Sequence, residues 1–204
     1  IDRSRGLGDV YKRQLLELGH HFNGKSDTEM ILHAYAEWGI KAVERFIGMF
    51  AIALFDEKKQ EVVFIRDRAG VKPLFYYQKN DLILFASELK SFHKHPKFEK
   101  KLDINAVAAY MQYGNIPTPH WIFRNCTKIK PWYYLKINLK NKSQEEVQYW
   151  NVYNFYNKPK LNLSFPEAKI QTKEILKSAF NFRMVSDVPV GVFLSGGSVS
   201  YTHL

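Results

Sequence analysis

The sequence predicts an α+β protein, an antiparallel sheet core buried on both faces and followed by the opening of an α/β domain. Three observations carry this expectation. Residues 46–87, FIGMFAIALFDEKKQEVVFIRDRAGVKPLFYYQKNDLILFAS, hold four apolar runs (49–55, 62–65, 74–77 and 82–86) parted by charged or polar breaks. Helix start and stop signals flank that stretch at 26–39 and 103–114. Toward the C-terminus a helical pattern, a short apolar run and Ser195-Gly196-Gly197 follow one another, the order in which an α/β nucleotide-binding domain begins.

The four runs read as a four-strand antiparallel meander. They are apolar at nearly every position, so each strand is expected to be covered on both faces, by helices on one and a second sheet on the other. With 46% hydrophobic and 15% aromatic residues, 204 residues suffice for one full domain and the start of another. No apolar run approaches the ~18 residues of a membrane span, which predicts a soluble chain. A single cysteine, Cys126, excludes an internal disulfide framework, and a reducing cytoplasm is the expected setting.

The formal charge of +10 raises nucleic acid as a partner. Its one dense cluster, Lys90, Lys94, Lys97, Lys100 and Lys101, lies in a stretch with no organised face and reads as a solvated loop, so no nucleic acid partner is expected. His93 and His95 have no third ligand near them in sequence, nor do His20 and His21, so no metal site is predicted.

Taken in order, residues 1–14, IDRSRGLGDVYKRQ, show no clear periodicity and read as a non-native leader such as translated adaptor sequence. Leu15, Leu16 and Leu18 before Gly19 look like a helix end, and Asn23-Gly24 like a turn. Ser26-Asp27-Thr28-Glu29 fits a capping box in which Glu29 reaches back to the Ser26 amide. Ile31, Ala34, Tyr35 and Trp38 continue at helical spacing to Gly39, predicting a helix over 27–38. After the meander, 87–92 reads as a short helical turn. A longer helix over 102–111 has Asp103 as its cap and Gly114 as its stop. Residues 115–123 hold Pro117 and Pro119 and read as a loop; 128–139 and 146–150 are β-like, with a turn at 138–143. Residues 151–163 read as a linker. Ser164-Phe165-Pro166-Glu167 is a second capping box, opening a helix to about residue 182 expected to bury Ile170, Ile175, Leu176 and Ala179. Residues 188–194 then read as a buried strand, and the glycines after it can turn successive N–H groups into one anion-holding concavity.

SDTE, GMFAIALFD, RDRAGVKPLFYY, FASELK, YW and DVPVGVFLSGG, in that order from about Leu15 to Gly197, resemble the glutamine-hydrolysing asparagine synthetases, class II glutamine amidotransferases. The resemblance implies an N-terminal-nucleophile glutaminase domain, an αββα sandwich, over 15–150, a linker over 151–163, and the start of an α/β ATP-pyrophosphatase-type synthetase domain over 164–197, with 198–204 a non-native tail. It implies glutamine, aspartate and ATP as substrates, Mg²⁺ as cofactor, and a homodimer among the assemblies open to the chain. Ammonia released from glutamine would amidate aspartate through a β-aspartyl-AMP intermediate. Asp27 matches the aspartate that holds the α-amino group of glutamine, although an aspartate in a first helical turn also stabilises the helix dipole by about 0.3–1 kcal/mol. Leu194, Ser195, Gly196 and Gly197 match the start of the ATP pyrophosphate loop. Arg66, Asp67, Arg68, Lys72 and Glu88 match family positions and read as structural ion pairs between buried strands.

The departures count equally. The family's nucleophile is a cysteine at the mature N-terminus, using its own amino group as base; it is absent from this chain, as are the substrate-clamping arginine and the Asn-Gly-Glu oxyanion segment. No catalytic residue is therefore assigned, and Cys126, with no His or Asp beside it in sequence, is not expected to replace the nucleophile. Ser198-Val199-Ser200 stands where the family continues into Asp-Ser. Trp132 stands where the family usually has glycine, which puts the turn geometry there in question. The expected reading is an inactive piece of an asparagine synthetase. The alternatives are a paralogue amidating another carboxylate and a catalytically dead glutamine- or nucleotide-binding module.

Overall fold

A computed structural model describes residues 9–24, 26–181, 183–184 and 189–191. In chain order the elements are α1 (Asp9–Glu17), α2 (Asp27–Trp38), a 3₁₀ helix (Gly39–Arg45), β1 (Ala51–Asp56), β2 (Glu61–Arg66), β3 (Phe75–Lys79), β4 (Leu82–Ala86), a second 3₁₀ helix (Leu89–Lys94), α3 (Ile104–Tyr113), β5 (Cys126–Lys128), β6 (Tyr133–Asn138), β7 (Gln144–Gln148), α4 (Tyr153–Tyr156) and α5 (Phe165–Asn181). The chain divides into two compact units: Tyr35–Pro159, and Ile1–Ala34 together with Lys160–Leu204.

Within Tyr35–Pro159 the strands form two antiparallel sheets, β1-β2-β6-β7 and β4-β3-β5. The single meander expected over 46–87 is thus two hairpins in different sheets. The reason lies between them. Asp67 is buried and its carboxylate accepts the Val71 and Lys72 amides at 2.9 Å each, turning the chain away from the first sheet. The Arg66 side chain donates to the carbonyls of Lys72 (3.0 Å), Ile129 (2.7 Å) and Gly70. A second crossing, 129–132, runs beside the first: the Ile129 amide donates to the Leu74 carbonyl at 3.0 Å and the Trp132 amide to the Asp67 carbonyl at 3.1 Å. The β-like run over 128–139 is divided there, with β5 in one sheet and β6 in the other.

The two sheets pack face to face. Phe64, Leu135 and Ile137 of the first sheet and Leu74 and Ile129 of the crossings form one core, with Tyr76 and Ile83 of the second sheet against it. The Phe64 ring stacks on Tyr76 at 5.9 Å. Strand alternation sends Phe75 and Tyr77 to the opposite face of the second sheet, where Phe92, Phe98 and Cys126 cover them. β2 is buried on both faces, since Val63 and Ile65 are as hidden as Phe64. The edge strands are not: Phe55 of β1 is 55% exposed and Phe85 of β4 52%, so coverage of every strand on both faces fails at the edges.

Helix starts and stops fall where the residues put them. α2 spans the expected residues, and Gly39 closes it with φ +58°. Asp103 caps α3 by accepting the Asn105 and Ala106 amides, and Gly114 ends it with φ +70°. In the other unit α1 begins inside the stretch expected to be a leader and ends at Gly19, φ +89°. The region expected as linker contains the one-turn α4. α5 forms with the predicted box, Glu167 accepting from the Ser164 amide at 2.8 Å and from its hydroxyl at 2.6 Å. The residues expected to be buried are not: Ile170, Ile175 and Leu176 are at least half exposed, and Ala179 is partly covered. The expected strand over 188–194 lies outside the described residues apart from 189–191. No described helix is long and apolar enough to cross a membrane.

Gly70 sits in the first crossing at φ +63°, where an added Cβ would lie 2.7 Å from Pro131 Cγ and 3.0 Å from the Arg66 guanidinium; Gly114, at φ +70°, has open space. Gly114→Ala should therefore lose about 1 kcal/mol of stability. Gly70→Ala should lose at least ~2 kcal/mol, because overpacking adds to the backbone cost. Urea denaturation of the two variants checks the difference; equal losses would show that the crossing is slack.

Candidate functional site

The start of α2 is where the sequence places its one described site residue. Ser26 precedes the helix and its hydroxyl accepts the Thr28 amide at 3.2 Å. Asp27 follows as the first helical residue, half-buried, at the end where helix N–H groups are unsatisfied and the dipole favours negative charge. Glu29 departs from the expected capping box. Its two carboxylate oxygens take the Asn23 amide at 2.7 Å and the Gly24 amide at 2.8 Å, so it clamps the Asn-Gly turn in place of the Ser26 amide. These two amides, foremost among the causes, hold its carboxyl below the usual 4.5, with the charges of His33 and Lys12 adding to them.

A second contact ties the same turn to the same helix. His20 Nδ1 and His33 Nδ1 are 2.9 Å apart, and the His33 ring lies between His20 (5.0 Å) and Phe22 (4.7 Å). Lys12 of α1 closes the group, donating to the Gly24 carbonyl at 3.1 Å and lying over the Phe22 ring. His33 escaped the sequence reading because its partner is 13 residues away and sits beside His21, which suggested a metal pair instead. Among the described residues no group of three or more metal-binding side chains occurs. His93 stacks on Phe98, and His95 Nδ1 accepts the Lys97 amide at 3.3 Å.

The residues read as ion pairs are structural, though not as ion pairs. Arg66 and Asp67 bond backbone groups, as described above. Arg68 donates to the Glu44 carbonyl at 2.9 Å and faces the Trp150 ring. Glu88 alone pairs with a cation, Lys90. At Trp132, where tryptophan in place of glycine put the turn geometry in question, the backbone is left-handed at φ +55°, and its ring lies 6.0 Å from Trp150. Of the clustered lysines, Lys101 pairs with Glu99 at 3.4 Å. A surface hollow of about 580 Å³ lined by Lys79, Asp81, Lys97 and Glu99 includes Lys97 of the lysine cluster and none of the residues assigned to the glutamine or ATP site. Leu194, Ser195, Gly196 and Gly197 lie outside the described residues.

Comparison with known proteins places this geometry. The glutamine amidotransferase domain profile matches residues 9–150. The chain belongs to the glutamine amidotransferase domain family. The amidotransferase match takes in α1 through β7 and with them Asp27, His20, His33 and both crossings. It is followed by a match to the asparagine synthase family over residues 171–200, which covers the Leu194–Gly197 positions. The chain is 38% identical to a putative glutamine-hydrolyzing asparagine synthetase 2 of Methanocaldococcus jannaschii, over 96% of this chain and 38% of that protein. It is 34% identical to glutamine-hydrolyzing asparagine synthetase 3 of Bacillus subtilis, over 93% of this chain and 31% of that protein. It is 32% identical to Amidase chry2 of Gibberella zeae, over 92% of this chain and 27% of that protein. The chain thus spans well under half the length of these curated relatives.

Cys126, the sole thiol of this amidotransferase chain, is 7% exposed in β5, and burial pushes it up to about 12. At neutral pH it holds almost no thiolate, the form that attacks a carbonyl. Iodoacetamide should therefore leave the native chain unmodified and alkylate it only after unfolding, as mass spectrometry would show. Native alkylation at the rate of a free thiol would contradict this placement.

Proposed function

We propose that residues 9–150 are the glutamine-handling part of a glutamine-hydrolysing asparagine synthetase, and that the intact enzyme uses ATP and Mg²⁺ to amidate aspartate through β-aspartyl-AMP. The observation that carries the reading is the succession of the two family matches, amidotransferase over 9–150 and asparagine synthase over 171–200, in one chain. The packed antiparallel sheets are compatible with an N-terminal-nucleophile sandwich. In this reading Asp27 receives the α-ammonium of glutamine, supported by its half-buried place at the head of α2 within the Ser26–Glu29 turn. A carboxylate there attracts a cation and, through charge-assisted hydrogen bonds, orients it. Leu194, Ser195, Gly196 and Gly197 would cradle the ATP pyrophosphate with backbone N–H groups. The acceptor is the open part of the proposal, because over the same stretch the chain is also similar to Amidase chry2; an amidotransferase acting on another carboxylate is the second reading.

The test begins by sequencing the source DNA through both ends of this reading frame and expressing the protein it encodes. That enzyme should form AMP with aspartate and either glutamine or ammonia. Asp27→Asn should raise KM for glutamine at least about tenfold, the loss of one charge-assisted contact, while the ammonia-driven reaction is unchanged. An Asp27→Asn enzyme with the KM of the parent would remove Asp27 from the glutamine site; AMP formation only with a different carboxylate would establish the second reading. The 204-residue chain itself should release no glutamate from glutamine.

A further inference from the structure

We propose that His20 and His33 form a one-proton latch that positions the start of α2, and that a second proton opens it. The consequence for glutamine rests on the reading of Asp27 given above; the latch itself does not. Two Nδ1 atoms 2.9 Å apart can bond only when one donates and the other accepts. Two neutral imidazoles satisfy this in complementary tautomers, and one imidazolium beside one neutral ring satisfies it better. Two imidazolium rings cannot, since both nitrogens then carry protons and like charge. Imidazole is the side chain whose ordinary charge change falls between about pH 5 and 8, which sets the range over which the pair is to be tested.

The latch connects particular parts. His20 is held in the turn after α1, where its amide donates to the Leu15 carbonyl at 2.9 Å, and His33 lies on α2 six residues after Asp27. Between them runs the Asn23-Gly24 turn, clamped by Glu29 and by Lys12. The charged groups that the structure places on this turn and helix are Lys12 of α1 and Glu29 of α2, and His21 adjoins His20 in sequence. Glu29 takes up its proton below 4.5, since its carboxyl is depressed, so the turn has two fasteners that fail at different pH. Opening the latch removes one of the two fasteners beside Asp27 while Glu29, still ionised, keeps the other. His20 and His33 are accordingly positioning residues, acting on glutamine through Asp27.

The 204-residue chain gives the first readout. The two rings, followed by NMR, should titrate in coupled steps. Hydrogen-exchange protection of the Asn23 and Gly24 amides should fall across the second step in the parent. In His33→Gln, whose amide can still bond His20 without titrating, protection should persist down to the pH at which Glu29 is protonated. Loss of protection at the same pH in parent and variant, or independent ring titrations, overturns the latch. His20→Gln is the matching variant if His33→Gln does not fold, and the parent ring titration decides by itself if neither does. In the intact enzyme, KM for glutamine should rise about fivefold between about pH 7.5 and 5.5 and stay level in His33→Gln, with ammonia-driven turnover alike in both. An enzyme that uses no glutamine at any pH refutes the glutamine reading, and the amide protection in the chain still decides the latch.

Discussion

Arg66 and Asp67 are neighbours of opposite charge, 4% and 1% exposed, and their hydrogen bonds go to the backbone and not to each other. Burying an ionised group costs several kcal/mol unless its bonding capacity is met. Arg66 meets its own through three carbonyls drawn from both crossings, and Asp67 through two amides of the first. Burial pulls the Arg66 guanidinium down from its usual value, and the charge of Asp67 opposes that. The Tyr149 hydroxyl adds a bond to the Arg66 carbonyl at 2.6 Å, which brings the end of β7 to the same place. Two chain segments that change sheets are thereby fastened to one another at a single junction. The sandwich core, with Phe64 facing Tyr76, forms only because the chain changes sheets there.

At this junction Arg66 and Asp67, two of the residues that match family positions, hold backbone groups. A charge that holds a backbone turn is used up in that task and presents nothing to a substrate. The chemistry proposed for the amidotransferase domain lies instead at the head of α2, where a carboxylate stands at the positive end of the helix dipole. Among the contacts that hold that end are Glu29 to its turn and His20 to His33, which protonation can alter. A rigid sheet core and an adjustable helix start are thus built from different kinds of bond.

Local signals were legible wherever they act over a few residues. Ser26 and Gly39 bracket α2, Asp103 and Gly114 bracket α3, and Ser164 with Glu167 opens α5, because caps are read from neighbours in sequence. Strand positions were also legible as apolar runs. Sheet membership was not: an apolar run looks the same whichever sheet receives it, and the pairing of β2 with β6 is decided by bonds such as Arg66 to Ile129, 63 residues apart. β5, only three residues long, was met only at Lys128, the start of a longer predicted run. Periodicity predicted burial for α5 where the described residues supply little cover. The part of Asp27 that can be read from sequence is its place at a helix start. Its chemistry came from resemblance, and the pairing of His20 with His33 needed the fold.

Native-state hydrogen exchange at Val71 and Lys72, the two amides held by Asp67, tests most directly whether the junction governs the sandwich. The account predicts that both exchange only in the same cooperative opening that exposes the amides of β2 and β6. Exchange at Val71 and Lys72 about a hundredfold faster, with β2 and β6 still protected, would mean that the crossing opens by itself. The Arg66–Asp67 junction would then be an ornament of the two sheets and not what joins them.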